Sequence, residues 1–150
     1  MIEFQAVIGR IQLKRLADWT ARRTANAKIL ETAAETKSIF WVPRVSTGTK
    51  HAFYKYYIFI KPEVLKKDWS RDRIIHEMNL RGIPCYQGSC PEVYLEKSFD
   101  NSPSNPKNRF PVARSLGETS LMFLVHPTLT EEEIHRTATV LCKVAELAAR

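Results

Sequence analysis

Lys55 has the most unusual surroundings of any charged residue in this sequence. It lies within residues 51–60 (HAFYKYYIFI), where nearly every neighbouring side chain is aromatic or aliphatic. Burial of an amine among apolar groups lowers its pKa, and an amine nucleophile or a Schiff-base lysine requires such a lowered pKa. The alternative is that Lys55 lies near a strand edge and extends past Tyr57 into water. We favour this alternative, because a long lysine stem can cover apolar surface while its charge stays hydrated.

Residues 85–96 (CYQGSCPEVYLE) gather small, polar and aromatic side chains directly after a predicted short strand. This composition is typical of a loop that contacts a ligand. A cysteine nucleophile would need a base close by, and the sequence identifies none for Cys85 or Cys90. We therefore predict that this segment is a binding loop, and we assign no catalytic residue.

Metal binding and glycine-loop nucleotide binding need spacings that this sequence lacks. The four His and three Cys residues show no zinc-ligand spacing, and the five Gly residues are scattered singly. We therefore expect no metal site, and we interpret the cysteines as ordinary thiols in a reducing compartment. No apolar run is long enough to span a bilayer and no signal peptide is evident, so we expect a cytoplasmic protein without a membrane segment.

The net charge of +7 raises the question of nucleic-acid binding. Residues 10–28 hold six basic side chains and one acidic side chain, but elsewhere charges of both signs are mixed. The aromatic residues fall mainly in strand-like segments, where packing in a core accounts for them. We therefore do not expect a nucleic-acid partner.

A long helix over residues 2–37 is the first element that must position these side chains. Apolar residues recur at helical spacing, and the segment contains one Gly and no Pro that could interrupt it. The helix has no Ser, Thr, Asp or Asn at its start to cap the first free N–H groups. We therefore expect that a cap and a preceding segment lie outside this sequence.

Alternating and apolar runs predict a small, mainly antiparallel sheet after this helix. We expect an edge strand at 38–45, a tight turn at 46–50, a central strand at 51–60 covered on both faces, and short strands at 83–86 and 120–126. The short turn indicates that the first two strands pair antiparallel.

Capping signals place three further helices against this sheet. They are a helix over 71–81 between Ser70 and Gly82, a short helix over 112–116 after Pro111, and a last helix that runs to about residue 149 after a capping box of Thr130 and Glu133. Residues 85–109 form a long connection with a helical turn at 93–99. The fold class is therefore α+β, with a small sheet packed against helices.

Three segments, in matching order and spacing, resemble one protein family. Residues 3–16 (EFQAVIGRIQLKRL) are similar to its E-x-Q-A-A-x-G-x-x-Q-L-x-x-L helix, and residues 70–84 to its helix and G-I turn. Residues 121–134 (LMFLVHPTLTEEEI) are similar to its L-P-x-H-P-x-L-T-x-x-E-I segment. The family is that of the DegT/DnrJ/StrS-type sugar aminotransferases, and the resemblance covers nearly the whole chain.

The resemblance implies an activity for the intact enzyme. In that family pyridoxal phosphate (PLP) serves to move an amino group, usually from glutamate, onto a keto group of a nucleotide-linked sugar for polysaccharide or amino-sugar biosynthesis. A large domain carries the Schiff-base lysine, and none of its motifs is in this sequence. The resemblance thus assigns residues 1–37 to a connecting helix and 38–150 to the small C-terminal domain of an aspartate-aminotransferase-like enzyme. We expect that this chain alone holds no PLP and does not catalyse transamination.

The resemblance also implies where substrate contacts lie. Many members follow the G-I turn with a His-Tyr-Pro loop, whereas this chain has Tyr-Gln-Gly-Ser at 86–89, so the sugar specificity is altered. Lys55 departs from the family's aromatic-His-aliphatic-Tyr pattern and is not the cofactor lysine. We predict that five residues of this loop contact a sugar or a partner chain, and that Lys55 contacts the nucleotide phosphate. The five loop residues are Tyr86, Gln87, Ser89, Glu92 and Tyr94.

The expected partners follow from the same resemblance. They are the large PLP-binding domain, glutamate and a nucleotide sugar in the intact enzyme, and a second copy of the chain, because a face that a large domain would cover is left apolar. An alternative of a different class is a stand-alone binding or regulatory module whose basic first helix contacts an acidic partner. Salt-dependent binding to DNA or RNA would favour that alternative.

Overall fold

The computed structural model describes residues 2–100, 102, 106 and 108–150. Within these residues, four helices and four strands follow one another in the order α1 (Glu3–Glu35), β1 (Phe40–Trp41), β2 (Tyr56–Ile60), α2 (Arg71–Leu80), β3 (Cys85–Tyr86), α3 (Pro111–Thr119), β4 (Ser120–Phe123) and α4 (Glu131–Ala148). The strands form one antiparallel sheet in the order β1-β2-β4-β3. The predicted α+β class and the predicted antiparallel pairing of the first two strands are confirmed.

The core lies on one face of this sheet. Successive residues of a strand point to opposite faces, and on β2 the side chains of Tyr56, Ile58 and Ile60 are buried. Leu121 and Phe123 of β4 lie on the same face and are fully buried. Against this inner face pack the second half of α1, α2 and α4, through buried residues that include Leu30, Ile74, Met78, Leu141 and Val144.

The outer face of the sheet is only partly covered. Tyr57 and Phe59 of β2 are half-buried, and Ser120 and Met122 of β4 are buried beside them. At the two edges of the sheet the side chain of Trp41 is 50% exposed, and that of Tyr86 is 47% exposed. The expectation of a central strand covered on both sides is therefore correct for the inner face alone. The outer face remains partly exposed to solvent.

The central strand begins later than the sequence pattern predicts. Phe53 has a φ of +44°, in the left-handed region that bulky residues rarely adopt, so the chain cannot remain extended through this position. The preceding edge strand is limited to two residues, Phe40 and Trp41. Residues 42–55 consequently form a long connection, and the predicted tight turn at 46–50 is only a part of it.

The local signals at helix ends are confirmed by the structure. The Ser70 hydroxyl accepts a hydrogen bond from the Arg73 N–H at 3.2 Å, and Gly82 has a φ of +73° at the other end of α2. Thr130 and Glu133 form the expected capping box of α4. The turn predicted at 93–99 is present as two single turns of 3-10 helix, Val93–Leu95 and Lys97–Phe99.

The two halves of α1 have different surroundings. Ala27, Leu30 and Ala34 in the second half are buried in the core. In the first half the apolar side chains are exposed, and they are Ile2, Phe4, Val7, Ile8, Ile11, Leu13 and Leu16. None of the described helices is both long enough and apolar enough to cross a membrane. At 100° per residue, Phe4, Val7, Ile8 and Ile11 lie on one side of the helix, whereas Ile2, Leu13 and Leu16 lie on the opposite side. We refer to Phe4, Val7, Ile8 and Ile11 as the apolar stripe, which the described residues leave open.

Because the two halves of α1 differ in burial, we predict that a Leu→Ala substitution lowers the stability of the fold in the second half and has little effect in the first half. Leu30→Ala should lower the free energy of unfolding by about 2–5 kcal/mol, because it leaves a cavity in a close-packed core. Leu13→Ala removes the same atoms from a side chain that is 69% exposed and should change that free energy by less than about 0.5 kcal/mol. Urea unfolding followed by circular dichroism measures both, and equal effects would contradict this description of α1.

Candidate functional site

The loop after β3 packs directly onto the outer face of the sheet. A Cβ atom added to Gly88 would lie 2.6 Å from the Cε1 atom of Tyr57, so only glycine permits this approach. Gly88 also has a φ of +100°, which favours glycine for a second reason. The hydroxyl groups of Tyr57 and Ser89 lie 3.4 Å apart. These contacts fix residues 86–89 on the outer face of the sheet.

Gln87 is held at two points by other elements. Its backbone carbonyl accepts a hydrogen bond from the Ser120 hydroxyl at 2.5 Å. Its side-chain oxygen accepts a hydrogen bond from the guanidinium group of Arg71 at 3.4 Å. Arg71 also donates to the carbonyl of Gly117 at 2.9 Å, so one guanidinium group joins α2, α3 and the loop. The side-chain nitrogen of Gln87 donates a hydrogen bond to none of the described residues, so it can donate to a ligand.

A polar groove opens beside this part of the loop. Its walls include Asp72 and Asn79 of α2 together with Tyr86, Gln87 and Gly88, and its volume is about 490 Å³. A groove of this size is in the range that binds small molecules. Its carboxylate, amide and phenol groups are chemically suited to bind the hydroxyl groups of a sugar.

Glu92 and Tyr94 are engaged with each other and with residues further along the chain. The carboxylate of Glu92 accepts hydrogen bonds from the Arg109 guanidinium group, with Nε at 2.9 Å, and from the Tyr94 hydroxyl at 2.5 Å. The Tyr94 hydroxyl in turn accepts the Phe110 N–H at 2.9 Å. We refer to Glu92, Tyr94 and Arg109 as the loop clasp, because they join the loop to the start of α3. A substrate contact from Glu92 or Tyr94 would have to compete with these bonds.

The loop clasp strongly favours the ionised form of its carboxyl group. Hydrogen bonds from Arg109 and then from Tyr94 lower the pKa of Glu92 from 4.5 to about 2. The same pairing raises the pKa of Arg109. Glu92 is 7% exposed, so its carboxylate is shielded from solvent, whereas the Arg109 side chain is 43% exposed. Glu92 is thus a carboxylate at neutral pH and cannot act as a general acid.

Lys55 lies in a separate cavity from the polar groove. Its side chain is half-buried, and its ammonium group lies 5.8 Å from the centre of the Tyr54 ring. The cavity has a volume of about 160 Å³ and is formed by residues of the 42–55 connection and the start of β2. Of the six residues predicted to contact substrate, the structure brings Tyr86 and Gln87 into the polar groove, with Ser89 close by. In the structure Glu92 is hydrogen-bonded to Tyr94, and Lys55 lies in the separate cavity beside the start of β2.

The cysteines show none of the features of an activated nucleophile. Burial raises the pKa of the Cys85 thiol to about 12. The exposed Cys90 donates a hydrogen bond to Glu96 at 3.2 Å, and this contact raises its pKa as well. Among the described residues, no three His, Cys, Asp or Glu side chains are grouped so that they could hold a metal ion.

The sequence pattern did not single out several residues that hold the site. Arg71 looks like an ordinary first-turn residue of α2, and Ser120 and Arg109 are separated from their loop partners by 33 and 17 residues. Tyr57 lies in the apolar run of residues 51–60, where an aromatic side chain has no signal that separates it from a core residue. No local pattern signals these roles, because each depends on a contact between segments that are distant along the chain.

Comparison with known proteins assigns the chain to a family. Residues 1–142 match the model of the DegT/DnrJ/EryC1/StrS aminotransferase family. Because this match covers most of the chain, the protein belongs to that family.

Solved structures of similar chains are longer than this one. The aminotransferase from Psychrobacter cryohalolentis is 54% identical to this chain, with a TM-score of 0.92. The matched region covers 98% of this chain and 39% of the Psychrobacter chain. Spr1654 from Streptococcus pneumoniae in its PLP-form is 21% identical with a TM-score of 0.79, covering 98% of this chain and 36% of its own. The sugar aminotransferase CalS13 from Micromonospora echinospora is 14% identical with a TM-score of 0.72, covering 87% of this chain and 32% of its own. The chain thus spans well under half of these proteins.

The cavity that contains Lys55 does not fit PLP. Enzymes hold this cofactor through a Schiff-base lysine and a partner for the pyridine nitrogen. The cavity that contains Lys55 is lined by two further basic side chains, Arg44 and His51, and by no described carboxylate. A pyridine ring at this position would have no acidic partner for its nitrogen. The donor set around Lys55 therefore does not fit PLP.

The lowered pKa of Glu92 predicts a pH-dependent contribution to stability. A carboxyl group with a lowered pKa in the folded state stabilises the fold at pH values above its unfolded pKa, and that contribution is lost as the pH falls through the folded pKa. The contribution of Glu92 should therefore be complete above about pH 4.5 and decline towards pH 2. Urea unfolding between pH 2 and pH 7 measures it as the difference between the wild-type chain and Glu92→Gln.

The matched control for this measurement is Glu63→Gln, which neutralises an exposed carboxylate in the 3-10 turn Pro62–Val64. We expect the stability difference between wild type and Glu92→Gln to shrink as the pH falls from 4.5 to 2, and the Glu63 variant to show little difference at any pH. A difference for Glu92→Gln that does not change with pH would contradict the role of its charge in the loop clasp.

Proposed function

We propose that this chain is the C-terminal portion of a PLP-dependent aminotransferase that acts on a nucleotide-linked keto sugar. The observation that carries the proposal is the match to the Psychrobacter aminotransferase, which is 54% identical over 98% of this chain. CalS13 is a sugar aminotransferase and Spr1654 has been solved in a PLP-form, and these similar proteins support the sugar substrate and the cofactor. In this proposal the intact enzyme works in the cytoplasm, takes its amino group from glutamate and serves polysaccharide or amino-sugar biosynthesis.

The proposed division of the chain is a connecting helix, residues 1–37, followed by a small domain, residues 38–150. The exposed first half of α1 supports a connecting role, because its apolar stripe has no described partner. The second half anchors the connecting helix on the small domain, since Leu30 and Ala34 pack in its core. We propose that a large PLP-binding domain covers the apolar stripe in the intact enzyme.

We propose that the outer face of the sheet, together with the polar groove between α2 and the loop after β3, forms one wall of the substrate cleft. Tyr86 and Gln87 line a polar groove that can bind sugar hydroxyl groups, and Ser89 lies next to them on Tyr57. Glu92 and Tyr94 contribute to this surface indirectly. As parts of the loop clasp they hold the loop against the start of α3. Because the chain's donor set does not fit PLP, we propose that the chain alone does not catalyse transamination.

The alternative of a stand-alone module with a basic first helix receives less support. Arg10, Lys14 and Arg15 are exposed, but they alternate with the exposed side chains of Ile8 and Ile11 on the same half of α1. A surface of this mixed kind suits a protein–protein contact better than the phosphate backbone of a nucleic acid. Membership of the aminotransferase family accounts for the chain without such a partner.

A chimeric enzyme tests the proposed function directly. Residues 1–150 would replace the matching part of the Psychrobacter aminotransferase, and amino transfer from glutamate to nucleotide-linked keto sugars would be assayed with added PLP. We expect turnover by the chimera and none by the 150-residue chain. In the chimera, Gln87→Ala should raise KM about tenfold, in line with the loss of about 1.4 kcal/mol of hydrogen bonding to the sugar.

The control for the chimera is Glu63→Ala, which removes a polar side chain remote from the polar groove. This substitution should leave KM within about twofold of the parent chimera. Turnover by the 150-residue chain alone, or a chimera that folds and binds PLP but transaminates none of the keto sugars, would contradict the proposal.

The exposed apolar stripe predicts self-association of the chain in isolation. A contiguous apolar patch of this kind is uncommon on monomeric proteins. We expect dimers or larger species in sedimentation velocity at about 100 μM, and we expect Ile8→Glu combined with Ile11→Glu to convert them to monomers because charge opposes burial of the stripe. Lys14→Glu on the same half of α1 is the control. A wild-type chain that stays monomeric at all concentrations would contradict this expectation.

A further inference from the structure

An apolar groove runs between α1 and α4, apart from the polar groove and from the cavity that contains Lys55. Its volume is about 650 Å³, and it shares no lining residue with either of them. Most of its lining side chains are apolar or small, and they include Ile29, Thr32, Ala33, Thr36, Ala138 and Cys142. We refer to this feature as the apolar groove. A groove between two helices accepts a ridge of side chains from a third helix.

The apolar groove and the apolar stripe lie along one side of α1. At 100° per residue, the mean direction of Ala25, Ile29 and Ala33 differs by about 10° from the mean direction of the stripe. The stripe occupies the first half of the helix, and the groove lies along its second half. One side of a single helix therefore carries two apolar surfaces, one near each end.

Between these two surfaces the same side of α1 carries a pair of opposite charges. The Arg22 Nε atom lies 3.5 Å from the Asp18 Oδ2 atom, and the two side chains are 64% and 71% exposed. An ion pair this exposed contributes little to the stability of one copy. Both groups are therefore accessible to the charges of another chain.

These charges favour an antiparallel pair of α1 helices over a parallel pair. In an antiparallel pair with a two-fold axis at Thr20, Asp18 of each copy lies opposite Arg22 of the other copy. Two ion pairs then form across the axis. A parallel pair in register would place Asp18 opposite Asp18 and Arg22 opposite Arg22, and like charges in contact oppose association.

The same antiparallel register joins each apolar stripe to an apolar groove. Ile11 of one copy lies opposite Ile29 of the other, and Val7 lies opposite Ala33, since the residue numbers of each facing pair add up to the same total. The bulky side chains of the stripe thus meet the small and apolar side chains of the groove. The two-fold axis repeats this contact, so the arrangement closes as a dimer that covers both apolar surfaces of each copy.

The exposure of the first half of α1 permits this approach. Residues 7–18 are all exposed, and at 1.5 Å per residue they form a helical arm about 18 Å long. A second helix can therefore lie alongside the stripe without displacing any part of the small domain. In the antiparallel pair the arm of each copy lies over the groove of the other.

We propose that the 150-residue chain forms a two-fold symmetric dimer in which the apolar stripe of each copy packs into the apolar groove of the other. A second copy is the occupant of the groove because one register satisfies both the charges and the apolar surfaces of the same sequence. The proposal gives the self-association of the chain a defined register. It does not rest on the proposed function, in which a large domain covers the stripe of the intact enzyme.

Reversal of the charges beside the two-fold axis tests the proposal. Asp18→Arg places like charges opposite each other at two points, and so does Arg22→Asp, so each variant alone should dimerise about tenfold more weakly than the wild-type chain. An equimolar mixture restores both pairs of opposite charges between unlike copies. Its affinity should return to within about threefold of the wild-type value, because only the repulsion within each helix remains.

Sedimentation equilibrium measures these affinities. The matched control is Glu63→Arg, which makes the same change of charge in the 3-10 turn Pro62–Val64, outside α1 and the apolar groove. It should leave the affinity within about twofold of the wild-type value. Recovery in the mixture also shows that the weaker association of each variant is not caused by misfolding.

Cross-linking with a short bismaleimide tests the register. In a chain with Cys90→Ser and Cys142→Ser, the combination of Ile11→Cys and Ile29→Cys should yield cross-linked dimers, because these two positions face each other. Ile11→Cys alone should yield none, since at 1.5 Å per residue it lies about 27 Å from the same position of the second copy.

Three results would overturn the proposal. They are a wild-type chain that stays monomeric at all concentrations, a mixture of the two charge variants that dimerises no better than either variant alone, and cross-linking by Ile11→Cys alone, which would mean that two stripes pack on each other. None of these results bears on the chimera, which tests the proposed function separately.

Discussion

The antiparallel pairing of β2 with β4 is the interaction on which the other features of this chain depend. Its register places Tyr57 opposite Met122 and Phe59 opposite Ser120. This register directs Ile58 and Leu121 into the core and leaves Tyr57 and Ser120 on the open face, where they hold the loop. A slip of one residue would reverse both faces, so the core and the candidate site are specified by the same hydrogen bonds.

Local patterns in the sequence were sufficient for most of the fold. Ser70, Gly82 and Thr130 mark helix ends through contacts within a few residues, and the structure confirms each of them. The pattern failed for the start of β2, because the left-handed conformation at Phe53 interrupts a run of residues that all favour strands. A propensity scale cannot indicate a strained residue that distant contacts hold in place.

The candidate site could be predicted only in part, for a related reason. Residues 85–96 were identified from composition, and the structure does place Tyr86 and Gln87 on a groove. The groups that hold them, Arg71 and Ser120, come from α2 and β4 and have no local signature. The resemblance also implies that Glu92 contacts a sugar or a partner chain, and within this chain its two carboxylate oxygens bond to Arg109 and Tyr94. Sequence identified the loop, and long-range contacts decide which of its groups are free to bind.

We propose that a nucleotide-linked sugar binds on the outer face of the sheet and in the polar groove beside it. The most direct measurement is a two-dimensional amide NMR titration of the chain with UDP-glucose as the probe. We expect shifts at Lys55, Tyr57, Gln87 and Ser89, and unchanged signals in the apolar groove between α1 and α4 that includes Ile29, Ala138 and Cys142. Shifts confined to that groove, or no shifts at millimolar probe, would contradict binding on the outer face.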